Sequence, residues 1–251
     1  MKKSILLPAI MLALAFTVNA QNDTMYVMKS GLIAGKFNVN TEVDSVIFYK
    51  PTIETSGTFT DARDGNVYSW VIIGNKVWMA ENLKYLPSVA DPGTGSQTTP
   101  YYYVYGYDGT DVTDAKATSN YTIYGVLYNW PAAVNACPTG WHLSSDAEWI
   151  QLTDYLGGES VAGGKLKETG TTHWNSPNTG ATNETGFTAL PGGYRGYTGT
   201  FYYIGYHGYW WSATALDATN AWYRYIYYDD SNVSSNYYNK EEGFSVRCVR
   251  D

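Results

Sequence analysis

Gly243-Phe-Ser-Val-Arg-Cys-Val-Arg250 closes the chain, one residue short of Asp251. Phe244, Val246 and Cys248 alternate with Ser245, Arg247 and Val249, the period of a strand that shows Phe244, Val246 and Cys248 on one face. Cys248 is one of two cysteines, and the other, Cys137, stands just before a segment that reads as a capped helix. Two cysteines in an exported protein suggest one bridge, here tying the end of the chain to its middle. The competing reading is a pair of free buried thiols. A bridge closing a loop of about 110 residues restricts the unfolded chain enough to contribute roughly 4 to 5 kcal/mol in the chain-entropy model.

Export is read from the other end. Lys2 and Lys3 precede an apolar stretch from Ile5 to Phe16, too short for a membrane span of about 20 residues. Val18-Asn19-Ala20 then offers the small-residue pattern of a cleavage site, so residues 1–20 read as a signal peptide and the mature chain as starting at Gln21. No later segment is apolar enough for a transmembrane helix. The expected location is outside the cytosol: extracellular, cell-surface or periplasmic. The formal charge is −7 over 251 residues, and loss of Lys2 and Lys3 makes it more negative. Without a basic stripe, nucleic acid and anionic lipid are not expected partners.

Residues 21–52 read as a short N-terminal β segment or linker, with Tyr26-Val-Met28 and Leu32-Ile33 flanking a turn at Lys29-Ser-Gly31, and Val46-Ile-Phe-Tyr49 as a further apolar run. The main domain covers 53–251. A hairpin is expected to turn at Asp64-Gly65 and a second at Gly74-Asn75, leading to Val77-Trp78-Met79. Residues 88–122 read as a long loop region with one tyrosine-rich strand at 101–105. Asp146 to Leu156 is the clearest helix, with Ser145 and Glu148 forming a capping box and Gly157-Gly158 stopping it. Shorter helices are expected at Pro131 to Ala136 and after Ser160. Everything beyond 186 reads as strands and loops. In 222–228, Ile226 and Trp222 mark the expected inward face, leaving Tyr223, Tyr225 and Tyr227 to project outward.

In order, Asp64-Gly-Asn-Val-Tyr68, Val77-Trp-Met-Ala-Glu-Asn-Leu83, Tyr124-Gly-Val-Leu-Tyr-Asn-Trp130, Ala136-Cys-Pro-Thr-Gly-Trp-His-Leu143, Asp146-Ala-Glu-Trp149, Gly186-Phe-Thr-Ala-Leu-Pro-Gly-Gly-Tyr-Arg195, Trp210-Trp-Ser-Ala-Thr214 and the closing Gly243–Val249 run resemble the Fibrobacter succinogenes major paralogous domain family over about residues 56–251. The N-terminal unit resembles a segment that often precedes this domain in secreted proteins of the Bacteroides group. The resemblance implies an exported protein of undefined activity. It also implies an α+β, C-type-lectin-like fold with short helices and antiparallel, loop-rich β structure, akin to the sulfatase-modifying factors. In C-type lectins one bridge joins an early helix region to the final strand, which Cys137–Cys248 would reproduce.

Chemistry is sparse in the residues. His142, His173 and His207 have no metal-site spacing, and no metal or other cofactor is expected. His142 reads as structural, with His173 and His207 in loops. The two cysteines leave none for the redox pair of the sulfatase-modifying enzymes. Asp61, Asp64 and Asn66 fit an Asp-Gly turn better than a calcium loop, and the Glu-Pro-Asn, Gln-Pro-Asp and Trp-Asn-Asp triplets of calcium-dependent lectins are missing. Of the candidate carboxylates, Glu148 has a capping duty and Glu241-Glu242 beside Lys240 reads as a solvated loop. An enzyme is therefore not expected. Residues 194–238 hold twelve of the 25 tyrosines. Tyrosine interleaved with Ser, Asn and Gly is the chemistry of a recognition surface, although tyrosine is also a favoured strand residue. The expectation is a non-enzymatic binding module for a polysaccharide or a protein, with Tyr223, Tyr225, Tyr227, Asn232, Tyr237 and Tyr238 as its ligand contacts. The alternative is a structural or assembly component of the cell envelope.

Overall fold

The computed structural model describes residues 24–29, 32–38 and 54–251. The expected signal peptide, the Lys29-Ser-Gly31 turn beyond Lys29 and the Val46–Tyr49 run lie outside them. Two compact units divide after Glu54. The first contains an antiparallel pair, β1 (Thr24–Lys29) and β2 (Leu32–Asn38), with a register shift between Val27 and Met28.

The second unit, Thr55–Asp251, is α+β. Its elements are β3 (Ser56–Thr60), β4 (Val67–Ile73), β5 (Lys76–Met79), β6 (Tyr102–Tyr103), α1 (Val112–Lys116), α2 (Ser119–Tyr124), β7 (Leu127–Tyr128), α3 (Trp130–Ala133), β8 (Trp141–Leu143), α4 (Asp146–Tyr155), α5 (Glu159–Leu166), β9 (Gly192–Arg195), β10 (Phe201–Ile204), β11 (His207–Ala215), β12 (Asn220–Tyr227), β13 (Ser234–Asn239) and β14 (Cys248–Arg250). One five-stranded sheet runs β3-β4-β5-β14-β8 and another runs β10-β9-β11-β12-β13. Pairing between these strands is antiparallel, as expected, except where β11 meets β9 in parallel at Gly208 and Gly193.

Local chemistry accounts for the turns. Gly65 takes φ +77° in the β3–β4 hairpin, where the Asp64 carboxylate accepts from the Asn66 amide at 3.0 Å. Gly74 takes φ +66° in the two-residue turn between Ile73 and Lys76. Residues 88–122 are less irregular than their composition suggests. Asp111 accepts from the amides of Thr113 and Asp114 to start α1, and Thr118 accepts from that of Tyr121 to start α2. Side-chain capping thus rescues two short helices from a turn-rich stretch.

The closing run joins the two sheets. Phe244 bridges Tyr128, Gly243 bridges Arg195 and Ser245 bridges Trp210, before β14 pairs with β5 through Val249–Trp78 and with β8 through Cys248–Leu143. A single continuous strand over 243–250 is not formed, because the chain changes partners at Val246–Arg247. The alternation still holds across the change. Phe244, Val246 and Cys248 enter one core with Tyr68, Leu83, Tyr128 and Trp211. Val249 enters the other, with Trp78, Trp149, Phe187, Trp210 and Ile226 under α4 and α5. Cys137 and Cys248 are bonded, with Sγ–Sγ 2.03 Å.

Buried cations fasten the long loops to this frame. Arg247 donates to the carbonyls of Met79, Phe187 and Thr188 and to Asn82 Oδ1. Arg195 donates to the carbonyls of Pro92, Thr94 and Glu241. Lys167 Nζ donates to the carbonyls of Tyr227 and Asp230, and burial draws its pKa down to about 8.

The capping box of α4 is present, and its Glu148 is a hub that also meets His142 Nε2 at 2.9 Å and Lys76 Nζ at 3.0 Å. Burial alone would raise the Glu148 pKa, but the Ser145 amide, His142, Lys76 and the Ser145 hydroxyl bring it down to about 2. A carboxyl held below its unfolded value adds stability above that value, which is lost as pH falls toward the folded one. Denaturant midpoints should therefore drop between about pH 4.5 and pH 2, and Glu148→Gln should flatten this acid limb in the same titration. An unchanged limb in that variant would contradict the assignment.

Candidate functional site

The second sheet carries two different faces. On β12, Trp222, Arg224 and Ile226 share one side: Ile226 is buried beneath the helices, Arg224 pairs with Asp146, and Trp222 is half-exposed against the ring edge of Tyr237. Tyr223, Tyr225 and Tyr227 share the other, but this is not simply an outward face. Tyr223 is only 6% exposed, its ring 4.8 Å from that of Phe244. The closing run crosses this end of the sheet and covers it, which the alternation of β12 could not reveal. Tyr225 and Tyr227 emerge from under that cover half-buried.

Register extends the row sideways. Tyr227 lies opposite His207, Tyr225 opposite Tyr209 and Tyr223 opposite Trp211, while Tyr194 lies opposite Tyr202. The rings touch in sequence. Tyr202 stacks on Tyr194 at 5.2 Å, Tyr194 meets Tyr209 at 5.0 Å, and Tyr225 meets Tyr227 at 4.9 Å. His207 stacks on Tyr227 at 3.9 Å and faces Tyr203 at 4.5 Å. His207 is thus the first residue of β11, not a loop residue, and its Nδ1 shares a hydrogen bond with the Tyr209 hydroxyl. Burial lowers the His207 pKa and raises those of Tyr194, Tyr209, Tyr223 and Tyr227, so the face presents neutral imidazole and phenol groups at neutral pH.

Of the other expected contacts, Tyr238 joins this face, 6.3 Å from Tyr223. Tyr237 lies across from Trp222 and reaches a cleft of 270 Å³ that it lines with Tyr197, Asn220, Tyr238 and Asn239. Asn232 lies in the loop that follows β12, away from the tyrosine face. Its carbonyl lies against Gly163 of α5, and its amide is held by Asp230, so it serves that loop. The members of the face that were not singled out from sequence are Tyr194, Tyr202, Tyr203, His207 and Tyr209. Their signal was the His207-Gly-Tyr209-Trp-Trp211 alternation, which acquires meaning only once β11 is registered against β12.

The Lys240–Glu242 segment also departs from expectation. Lys240 is buried over the Trp130 ring and donates to the carbonyls of Asp217 and Ala218, and Glu242 is 1% exposed. The bridge from Gly243 to Arg195 draws the segment beneath the sheet. His142 is structural, held between Asp251 and Glu148. Among the described residues no group of three or more His, Cys, Asp or Glu side chains is placed to hold a metal ion, and no helix is long and apolar enough to cross a membrane.

A family model for the Fibrobacter succinogenes major domain matches residues 71–250, well over half the chain. The chain belongs to this family. Every member of the tyrosine face lies within the matched residues of this Fibrobacter succinogenes major domain. Comparison with curated proteins finds no match, and neither does comparison with solved structures.

Proposed function

We propose that the protein is an exported, non-enzymatic binding module whose tyrosine face takes a polysaccharide or protein ligand. The observation that carries this reading is the continuity of the face. Its rings are fixed on adjacent strands, packed on Phe244 at Tyr209 and Tyr223, exposed at Tyr202, Tyr203 and Tyr238, and half-buried at Tyr225 and Tyr227. Rigid aromatic rings with free hydroxyls give contact area and hydrogen bonds with little ordering cost on binding. A lectin-type roll is the matching proposal for the architecture. It is supported by a terminal strand seated between β5 and β8 and by the bridge that reaches it from the region between α3 and α4.

Binding of the exported chain to immobilised glycans and proteins tests this. Tyr225→Ala and Tyr227→Ala should each weaken the interaction by about ten-fold or more while leaving the fold intact. A ligand held equally well by both variants would exclude the face. Tyr223 is not a suitable probe, since truncating a ring packed on Phe244 opens a cavity in the core. The envelope-component reading is favoured by one feature, the exposed edge strand β13, which can add a neighbour's strand. Concentration-dependent assembly in light scattering would support it, and a strict monomer would oppose it.

A further inference from the structure

Glu242 is the one carboxyl among the described residues whose two side-chain oxygens are both buried and both without a hydrogen-bond partner. Such a group calls for an explanation, because an unpaired buried carboxylate is costly. Its surroundings are defined. Tyr194 and Arg195 of β9, Glu241 of its own segment, Tyr238 of β13 and the Tyr197 amide of the β9–β10 turn all act on it. The Tyr197 amide favours its charge without reaching hydrogen-bond geometry. Arg195 does not neutralise it by contact, since that guanidinium is committed to the carbonyls of Pro92, Thr94 and Glu241.

Two of these neighbours, Tyr197 and Tyr238, are walls of the 270 Å³ cleft, and both are exposed, at 58% and 40%. Its remaining lining is Asn220, Tyr237 and Asn239, so no side chain in it carries a charge. Asn220 and Asn239 lie opposite one another at the end of the β12–β13 pair. Asn220 uses its amide nitrogen on Asp217, and Asn239 uses its amide oxygen on Gln97 and on the Glu241 amide. One acceptor and one donor therefore remain for a ligand. Aromatic walls, one amide of each polarity and a carboxyl behind them suit a compact, uncharged, hydroxyl-rich group. They do not suit an anion, which no cation here would meet, and the cleft is small for a folded protein surface.

We propose that this cleft reads a neutral saccharide unit, with Tyr197 and Tyr238 turning aside so that ligand hydroxyls donate to Glu242. This rests on the tyrosine face, which the cleft adjoins through Tyr238, being a binding surface, and names the ligand class for it. Burial holds the free carboxyl up at about 7. Hydroxyl donors favour the ionised carboxylate, so binding should lower that value and release protons near neutrality. Affinity should then rise as pH is raised from about 6 to 8.

Calorimetric titration of the full chain with neutral glucan, xylan and mannan oligosaccharides, in buffers of differing ionisation enthalpy, tests it. At least one oligosaccharide should bind with proton release. Glu242→Gln should abolish the release and the pH dependence, and Tyr238→Ala should weaken binding at least ten-fold. If a saccharide binds through Tyr227 but is indifferent to pH and to Glu242→Gln, the face stands and this inference falls. If only a protein ligand or an acidic saccharide binds, the inference falls likewise. If nothing binds the face at all, both readings fall. The wild-type pH profile decides the matter even where a variant fails to fold.

Discussion

Replacing Cys137 and Cys248 together by alanine is expected to remove about 4 kcal/mol of stability, and reduction of the native chain should do the same. The loop spans 111 residues, and it contains β8, every helix from α4 onward and all of the second five-stranded sheet. In the unfolded ensemble the bridge keeps the segment before β8 near the strand that must later insert between β5 and β8. Without it, that central insertion has to be made by a free chain end, at the full entropy of closing a long loop. The melting temperature should fall by about 10 °C for a domain of this size. Calorimetry of the oxidised, reduced and doubly substituted proteins checks this. A loss below about 1 kcal/mol would mean that packing alone holds the closing strand.

Arg247→Met is expected to cost about 3 to 5 kcal/mol, the scale of breaking a buried charged network. Arg247 is fully buried, and its pKa is lowered by that burial, yet a guanidinium stays charged in a protein. Met fills similar space and removes the burden of the buried charge. It also leaves the carbonyls of Met79, Phe187 and Thr188 without this donor, each costing about 1 to 3 kcal/mol when unpaired in the interior. Thr188 adds to the effect. It sits at φ +53°, an unusual conformation for a β-branched residue, and is kept there by Asn183 and by the Arg247 contact to its carbonyl. Arg247→Lys should recover less than half of the loss, because one ammonium cannot address three carbonyls in a fork geometry. Urea denaturation of both variants measures it, and near-native stability in Arg247→Met would show that the loops hold without this brace.

Much of the frame was legible from residues because its signals are local. The Asp64-Gly65 turn, the Ser145–Glu148 cap and the alternation of Phe244, Val246 and Cys248 each specify a geometry within a few residues. Helices α1 and α2 were hidden because five- and six-residue helices have no room for an apolar period, and only the Asp111 and Thr118 caps betray them. The site was half legible. Tyr225 and Tyr227 are read from strand periodicity, whereas Tyr238 is singled out by composition in a segment that reads as a loop and forms β13; the burial of Tyr223 and Glu242 depends on a segment crossing from the other sheet. His207 and Tyr194 join the face through register between strands distant in sequence. Asn232 has the composition of a contact residue, but its backbone lies against Gly163 of α5, away from the tyrosine face. Composition finds candidates for a surface, whereas long-range pairing decides which of them reach it.

One face of the β10-β9-β11-β12-β13 sheet is the proposed ligand surface. The most direct measurement compares ligand affinity of the wild-type chain with Tyr227→Ala and with Tyr155→Ala, a 67%-exposed tyrosine on α4 that has no part in the face. Affinity should fall about ten-fold or more in Tyr227→Ala and stay unchanged in Tyr155→Ala. Equal affinity in all three, or a loss confined to Tyr155→Ala, would contradict it.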